Sequence, residues 1–135
     1  KKTKVNRPHI FLTKGESKRV SNFLMTLRIP DLEVEKVDNK PLSSSEQARI
    51  KISFERNYGC ISCHRALNLV GRVRGGVSGP SLVNSGLRLN PDWIFNWLKN
   101  PKKFLSEGGM PLYDLNEETA VLITKYIVSI RTKNK

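Results

Sequence analysis

The sequence contains few residues that bind metals or cross-link a chain. Its 135 residues include only two cysteines, two histidines and two methionines. A structural zinc site needs about four ligands. Besides Cys60, Cys63 and the histidine that follows them, the chain offers only His9, so the sequence supports such a site poorly. A disulfide between the two cysteines would close almost no loop, and a thioredoxin-like pair requires a strand–helix–strand setting that this pattern lacks. The cysteines therefore need another explanation.

Long apolar runs are also absent. No stretch approaches the roughly 18 apolar residues of a membrane-spanning helix, and hydrophobic residues make up only 38% of the chain. The length predicts one domain with an additional arm, and the composition predicts a small core. The chain begins Lys1-Lys2-Thr3, with neither an initiator methionine nor a signal peptide, so we expect a processed protein or a fragment.

Acidic residues are half as frequent as basic ones. The chain has 12 Asp and Glu against 24 Lys and Arg, which gives a net charge of +12. A field of this sign speeds association with an acidic protein surface and attracts anionic lipid head groups, so both are expected partners. No recognition motif for nucleic acid accompanies the charge. Basic residues flank the motif described next: Arg56, Arg65, Arg72, Arg74, Arg88, Lys99, Lys102 and Lys103.

One short motif, Cys60-Ile61-Ser62-Cys63-His64, uses both cysteines at once. Two cysteines three apart, followed at once by histidine, form the pattern that attaches a c-type haem. Positions i and i+3 lie on one face of a helical turn, so both thiols reach the vinyl edges of one porphyrin and His64 becomes the proximal iron ligand. The motif predicts one covalently attached haem c, whose apolar surface enlarges the small core.

The chain changes character near residue 42. Residues 1–42 carry dispersed charge and short apolar patches. We interpret them as an extended arm or linker with one short helix or strand near Val20–Leu27. Residues 43–135 form the predicted haem domain, because helix signals begin there and continue beyond the cysteine motif.

The first helix of the haem domain is predicted to begin at Ser43, which has capping-box spacing to Glu46. Ile50 and Phe54 then fall at a helical interval, although residues 50–54 also alternate like a strand. The cap favours the helix. Glycines punctuate residues 65–89, which predicts mostly irregular structure there.

Two more helices follow. Asn90-Pro91-Asp92 is typical of a helix start, and Asn100-Pro101 predicts its end, with Lys103–Pro111 as a loop. The last helix is predicted to begin at Asn116, because two glutamates follow it at the positive end of the helix dipole. Its buried seam is Ala120, Ile123, Ile127 and Ile130, with Leu122 and Tyr126 beside it.

The sixth iron ligand is predicted to be Met110, in the segment Gly108-Gly109-Met110-Pro111. The glycines permit close approach to a ring, and Pro111 biases Met110 to an extended conformation. The alternative is a methionine that covers apolar haem surface. Met25 is expected to pack within the arm. His9 is expected to be an ordinary arm histidine, and it becomes a ligand only if the arm folds over the haem.

Together these residues resemble class I cytochrome c over roughly residues 45–131. The resemblance rests on several segments: Cys60–His64, Gly79-Pro80-Ser81-Leu82, Asn90-Pro91-Asp92-Trp93 with Trp97, Asn100-Pro101, Gly109-Met110-Pro111, and a terminal helix containing Tyr126.

The resemblance implies an all-α cytochrome c fold, with three main helices around one haem and His64 and Met110 as axial ligands. It implies that the carbonyl of Pro80 orients the proximal histidine. Trp93 and Trp97 either lie against the haem or pack in the core, and Arg88 either pairs with a propionate or is solvated. The family has a small residue where its first and last helices cross; here Ala48 or Ser53 takes that place.

These features favour an electron carrier, not an enzyme. A haem iron with two protein ligands exchanges single electrons and binds no substrate. The expected partner is an acidic redox protein or a membrane-bound electron-transfer complex of which this chain is a subunit. Covalent haem attachment predicts a periplasmic or equivalent exported compartment. The alternative is a haem enzyme or gas sensor with an open sixth position.

Overall fold

The computed structural model describes residues 11–27 and 29–131. Helices account for 49% of the described residues and strands for 3%, which confirms the predicted all-α class. The chain divides into two compact units, Lys1–Asp31 and Leu32–Lys135. In the described parts of both units, no helix is long enough and apolar enough to cross a membrane.

The first unit contains helix α1, Lys14–Thr26. Thr13 caps it: the Thr13 hydroxyl accepts the Glu16 N–H, and the Glu16 carboxylate accepts the Thr13 N–H at 2.8 Å. This capping box starts the helix well before the short element predicted near Val20–Leu27, and makes it 13 residues long. No residue of α1 is buried.

In the second unit, helix α2 spans Ser44–Ile52. The predicted capping box is confirmed, because the Glu46 carboxylate accepts the Ser43 N–H at 2.8 Å. The helix passes directly into a π-helical turn, Ser53–Asn57. The π turn ends beside Gly59, whose φ of 60° starts a tight 3₁₀ turn, Cys60–Ser62.

The predicted irregular segment contains little regular structure. Two short strands pair antiparallel, β1 (Ala66–Leu67) and β2 (Val73–Arg74). A 3₁₀ turn follows at Ser85–Leu87. At Gly86, an added Cβ would lie 2.5 Å from the Val128 carbonyl oxygen, so glycine lets this turn lie directly against the last helix.

The remaining helices are α3 (Pro91–Lys99), α4 (Pro101–Phe104) and α5 (Glu117–Ser129). The predicted starts of α3 and α5 are confirmed: Asn90 and Asn116 are their N-caps. The loop predicted from Lys103 begins instead at Leu105. The Asn100 side chain accepts the Lys103 N–H at 3.2 Å and Pro101 occupies the first helical position, so the chain enters a second short helix after α3 ends.

The core lies between α2, α3 and α5. The predicted seam of α5 is confirmed, and Tyr126 is buried with it. Its ring meets Phe54 edge-on, with centroids 5.2 Å apart. Of the two small residues expected at the crossing, Ala48 is exposed and Ser53 is half-buried. Large side chains, Ile50 and Phe54, bury the contact instead.

Residues 33–38, which we call the strap, belong to the second unit. The Asp92 carboxylate accepts backbone N–H bonds from Glu35, Lys36 and Val37 at 2.8, 3.0 and 3.1 Å. The Asn96 side chain accepts the Glu33 N–H at 3.0 Å and donates to the Glu33 carbonyl at 2.8 Å. These bonds explain why the second unit starts at Leu32, earlier than the predicted boundary at residue 43.

Candidate haem-binding site

The cysteine motif lies on a tight turn. The Cys63 and His64 N–H groups both donate to the Cys60 carbonyl, at 3.3 and 3.0 Å. Cys60 is half-buried and Cys63 is exposed, and no disulfide joins them. A turn of this kind keeps side chains three positions apart on one side of the backbone, which is the arrangement that two attachment points on one ring require.

Burial raises the pKa of the Cys60 thiol to about 11. A redox-active cysteine pair works through a thiolate whose pKa is lowered, so Cys60 is poorly suited to thiol–disulfide exchange. Within residues 11–27 and 29–131, no three His, Cys, Asp or Glu side chains cluster closely enough to hold a metal ion. The described residues thus supply no cluster of three such ligands for zinc.

The His64 ring is held by one backbone carbonyl. Its Nδ1 lies 2.8 Å from the Pro80 oxygen. Because a carbonyl oxygen only accepts hydrogen bonds, Nδ1 carries the proton in a neutral ring, and the lone pair is on Nε2. A carbonyl bound to one ring nitrogen is the usual way in which a metal-ligating histidine is fixed. The neutral His64 ring therefore presents its Nε2 lone pair, which is suited to iron.

Two glycines allow the following segment to pack against the motif. The Gly76 N–H donates to the Ile61 carbonyl and the Gly79 N–H to the Cys63 carbonyl, both at 2.9 Å. An added Cβ at Gly79 would lie 2.6 Å from Cε1 and Nδ1 of His64. Glycine at position 79 thus brings the backbone against the imidazole and places the next residue, Pro80, within reach of Nδ1.

Met110 is positioned by a tryptophan. The Trp97 Nε1–H donates to the Met110 sulfur at 2.8 Å. The Trp97 indole stacks on Trp93, with centroids 5.2 Å apart and planes inclined by 19°, and on Phe104 at 6.3 Å. An aromatic layer thus fixes the direction of the hydrogen bond, and that bond fixes the position of the thioether.

The chain's donors and surfaces fit a c-type haem. Thiols, an imidazole with a free Nε2 and a thioether are the groups that hold such a haem and its iron. Several apolar side chains pack on the core yet remain half-exposed, as expected where a large flat group completes the core: Leu82, Val83, Leu89, Trp93, Met110 and Tyr113. Burial, followed by the neighbouring Cys60 and Cys63, raises the pKa of Tyr113.

The other predicted site residues lie as follows. The Arg88 guanidinium is exposed and donates to the Ser81 carbonyl at 3.4 Å. Met25, expected to pack within the arm, is 70% exposed on α1, and His9 lies outside the described residues. Two open surface clefts, of about 360 and 310 Å³, are lined by neither His64 nor Met110.

Two contacts were not predicted from the sequence. One joins Trp97 to Met110, and the other joins Asp92 and Asn96 to the strap. In the second case the partners are 55 to 63 residues apart, and no local pattern marks such a pair. The cap of α1 was also missed, although Thr13 and Glu16 have the same spacing that identified Ser43 and Glu46.

No protein-family model matches the chain, and no curated protein matches its sequence at a significant level.

Proposed function

We propose that this chain is a monohaem c-type cytochrome of the class I kind, which transfers single electrons and catalyses no reaction. In this proposal the cytochrome c fold is built from α2, α3 and α5. The observation that carries it is the His64 ring, fixed through Nδ1 by the Pro80 carbonyl, directly after a turn bearing two cysteines. This is the orientation in which a metal-ligating histidine is usually held.

Four residues would hold the haem. Cys60 and Cys63 would form thioether links, and His64 and Met110 would supply the axial donors. The bound haem would provide a one-electron couple at its iron. Because both donors come from restrained side chains, little of the protein reorganises during electron transfer.

The surrounding residues have separate roles in this proposal. The Pro80 carbonyl fixes the ring orientation and the neutral tautomer that has its proton on Nδ1 and its lone pair on Nε2, which makes Nε2 a stronger donor to a metal. The Trp97 N–H restrains the thioether. The half-exposed apolar side chains exclude water and lower the local dielectric, which disfavours an additional positive charge and so raises the reduction potential.

The partner is proposed to carry an acidic surface. The net charge of +12 favours such a partner and a brief complex, because redox encounters bury small interfaces. The protein acts in a periplasmic or equivalent exported compartment, either as a free carrier or as a subunit of a membrane-bound electron-transfer complex.

Covalent attachment is the first test. The chain is exported in a host that attaches c-type haem, and denaturing gels are stained for haem. We expect staining of the wild type, and its loss when Cys60→Ala and Cys63→Ala are combined. Ile61→Val, between the two cysteines, is the matched control and keeps the stain. An unstained wild type, with the purified chain folded and the host's own cytochromes stained, contradicts the proposal.

The sixth ligand separates the carrier from a haem enzyme or gas sensor. We expect the visible spectrum of the reduced protein to be unchanged by carbon monoxide, and Met110→Ala to make it responsive. Met25→Ala, in α1, removes the other methionine and should leave the spectrum unchanged. A wild-type spectrum that shifts with carbon monoxide would favour the enzyme or sensor.

A further inference from the structure

Helix α1 has an exposed apolar face. Val20, Phe23 and Leu24 follow helical spacing and lie within about 100° of one another around the helix axis. Their side chains are 44%, 62% and 56% exposed. Glu16, one turn earlier on this face, is already engaged by the Thr13 N–H and hydroxyl, at 2.8 and 2.7 Å.

The opposite side of α1 is basic. Lys14, Lys18 and Arg19 lie within about 140° on that side, and none of them forms a salt bridge in the described residues. Residues 1–31 contain eight basic and two acidic residues, a net charge of +6, which is half of the total of +12. Less than a quarter of the chain thus carries half of its net charge.

We propose that α1 binds in the plane of an anionic lipid surface. Apolar side chains on one face and lysine and arginine on the other are the pattern of helices that lie at the boundary of head groups and acyl chains. In this arrangement Val20, Phe23 and Leu24 enter that boundary, and the basic side chains reach lipid phosphates.

Anionic lipid suits this helix better than a second copy of the chain does. A second copy would bring another net charge of +6 to the same place, and like charges repel. Lipid complements both faces at once. The Thr13 and Glu16 capping box supports the helix before any lipid is bound, so less ordering opposes binding.

This inference is independent of the haem proposal, since it rests on no residue of the second unit. The lipid-binding test can fail while the haem test succeeds, and the haem test can fail while the lipid-binding test succeeds. The helix of 13 residues is about 20 Å long, well short of the roughly 30 Å hydrocarbon layer of a bilayer. It therefore lies on the surface and does not span.

Vesicle flotation of the full chain tests the proposal. We expect binding to vesicles of phosphatidylcholine mixed with phosphatidylglycerol, and little binding to phosphatidylcholine alone. Neutralising Lys14, Lys18 and Arg19 to Gln should weaken binding by about five-fold per residue. Phe23→Gln combined with Leu24→Gln should reduce it to the level seen with phosphatidylcholine.

The matched control neutralises three exposed arginines of the second unit, Arg56, Arg72 and Arg74, to Gln. This variant has the same net charge as the α1 variant and should keep its binding. Equal loss in both variants would show that total charge, and not α1, causes binding, and would overturn the proposal. Equal binding to phosphatidylcholine alone would overturn it too. So would a dimer that forms without lipid and disappears in the Phe23→Gln, Leu24→Gln variant.

The depth to which α1 enters the lipid layer is a second readout. A tryptophan introduced by Phe23→Trp should be quenched by lipids with brominated acyl chains, beyond the quenching of the native tryptophans. Asn22→Trp, on the polar side of the same turn, should show no such increase. Greater quenching of the Asn22→Trp variant would contradict the assigned face.

Discussion

At the scale of single residues, the contact between the Trp97 N–H and the Met110 sulfur connects packing to redox chemistry. Trp97 is fixed by stacking on Trp93 and Phe104, so its N–H can point only in a narrow range of directions. A hydrogen bond to a thioether withdraws electron density from sulfur. If Met110 is an iron ligand, this bond favours the reduced state.

Trp97→Phe keeps an aromatic ring and removes the donor. We expect the reduction potential to fall by roughly 20 to 60 mV, equivalent to a hydrogen bond of about 0.5 to 1.4 kcal/mol. Trp93→Phe, in the same stack, is the control and should change the potential much less. Potentiometric titration of the three proteins measures the difference. An unchanged potential in Trp97→Phe would show that the hydrogen bond between Trp97 and Met110 does not affect the iron.

Tyr126 makes stability depend on pH in the alkaline range. Burial raises the pKa of this phenol from 10.0 to about 12, so the folded state holds the proton more tightly than the unfolded state does. The stabilisation is complete below pH 10.0 and is lost as pH rises towards about 12. The expected loss is about 3 kcal/mol.

Tyr126→Phe tests this dependence. The variant loses the hydrogen bond to the Leu67 carbonyl, 3.2 Å long, and should be about 1 kcal/mol less stable at neutral pH. Above pH 10.0 its free energy of unfolding should fall less steeply than that of the wild type. Urea denaturation across this range measures both curves. Parallel curves would assign the alkaline loss to other groups.

The roles of single residues differ in how far they could be predicted from the sequence. The two cysteines and His64 lie within one short motif, Cys60–His64, so their spacing alone predicts haem attachment. The contact of His64 with Pro80 was expected only through the family resemblance, because 16 residues separate them. The bond between Trp97 and Met110 joins two elements through side-chain geometry, which neither spacing nor composition encodes.

At the scale of secondary structure, the helix starts were the most predictable features. Ser43, Asn90 and Asn116 cap α2, α3 and α5 as expected, because a capping side chain bonds within three residues of itself. The extent of α1 was missed although Thr13 caps it in the same way. The π turn after α2 was not predicted, since no capping or apolar spacing in the sequence marks one.

The attachment of the strap to α3 could not be predicted, because each of its bonds to Asp92 and Asn96 crosses more than 50 residues of sequence. Its central acceptor gives a direct test. Asp92→Asn leaves one acceptor oxygen for three N–H groups and removes the charge. We expect a loss of about 1 to 3 kcal/mol in the free energy of unfolding, and faster amide hydrogen exchange at Lys36 and Val37.

Asp114→Asn is the matched control for this prediction. Asp114 is an exposed carboxylate outside the strap, so the same change there should affect neither stability nor exchange. Proteolysis offers a further readout, because residues 32–42 should be cut faster in Asp92→Asn. Protection of Lys36 and Val37 equal to that of the wild type would mean that the Asp92 carboxylate does not hold the strap.

At the scale of the whole molecule, charge is distributed over two units with separate roles in our proposals. The basic residues of the first unit are assigned to lipid, and those around the cysteine motif to an acidic redox partner. The two assignments predict different effects from variants of equal net charge. Sequence alone gave the total charge, but the division of the chain after Asp31 was needed to separate the two surfaces.

Protein voltammetry measures the second surface. On a carboxylate-terminated electrode we expect rapid electron exchange that slows as salt is raised, since screening acts over about 10 Å at 0.1 M ionic strength. Neutralising Arg56, Arg72 and Arg74 to Gln should slow exchange, and neutralising Lys14, Lys18 and Arg19 should not. A rate of electron exchange that does not depend on salt would show that the basic surface has no role in docking.

The strap also has a mechanical consequence. A pull on residues 1–31 enters the second unit near Glu33, which is bonded in both directions to the Asn96 side chain. The load passes from there into α3, and Asp92 shares it through three backbone N–H groups. Little tension continues along the backbone towards Ser43. A domain tethered by its arm therefore keeps the turn that carries Cys60 and Cys63 free of strain.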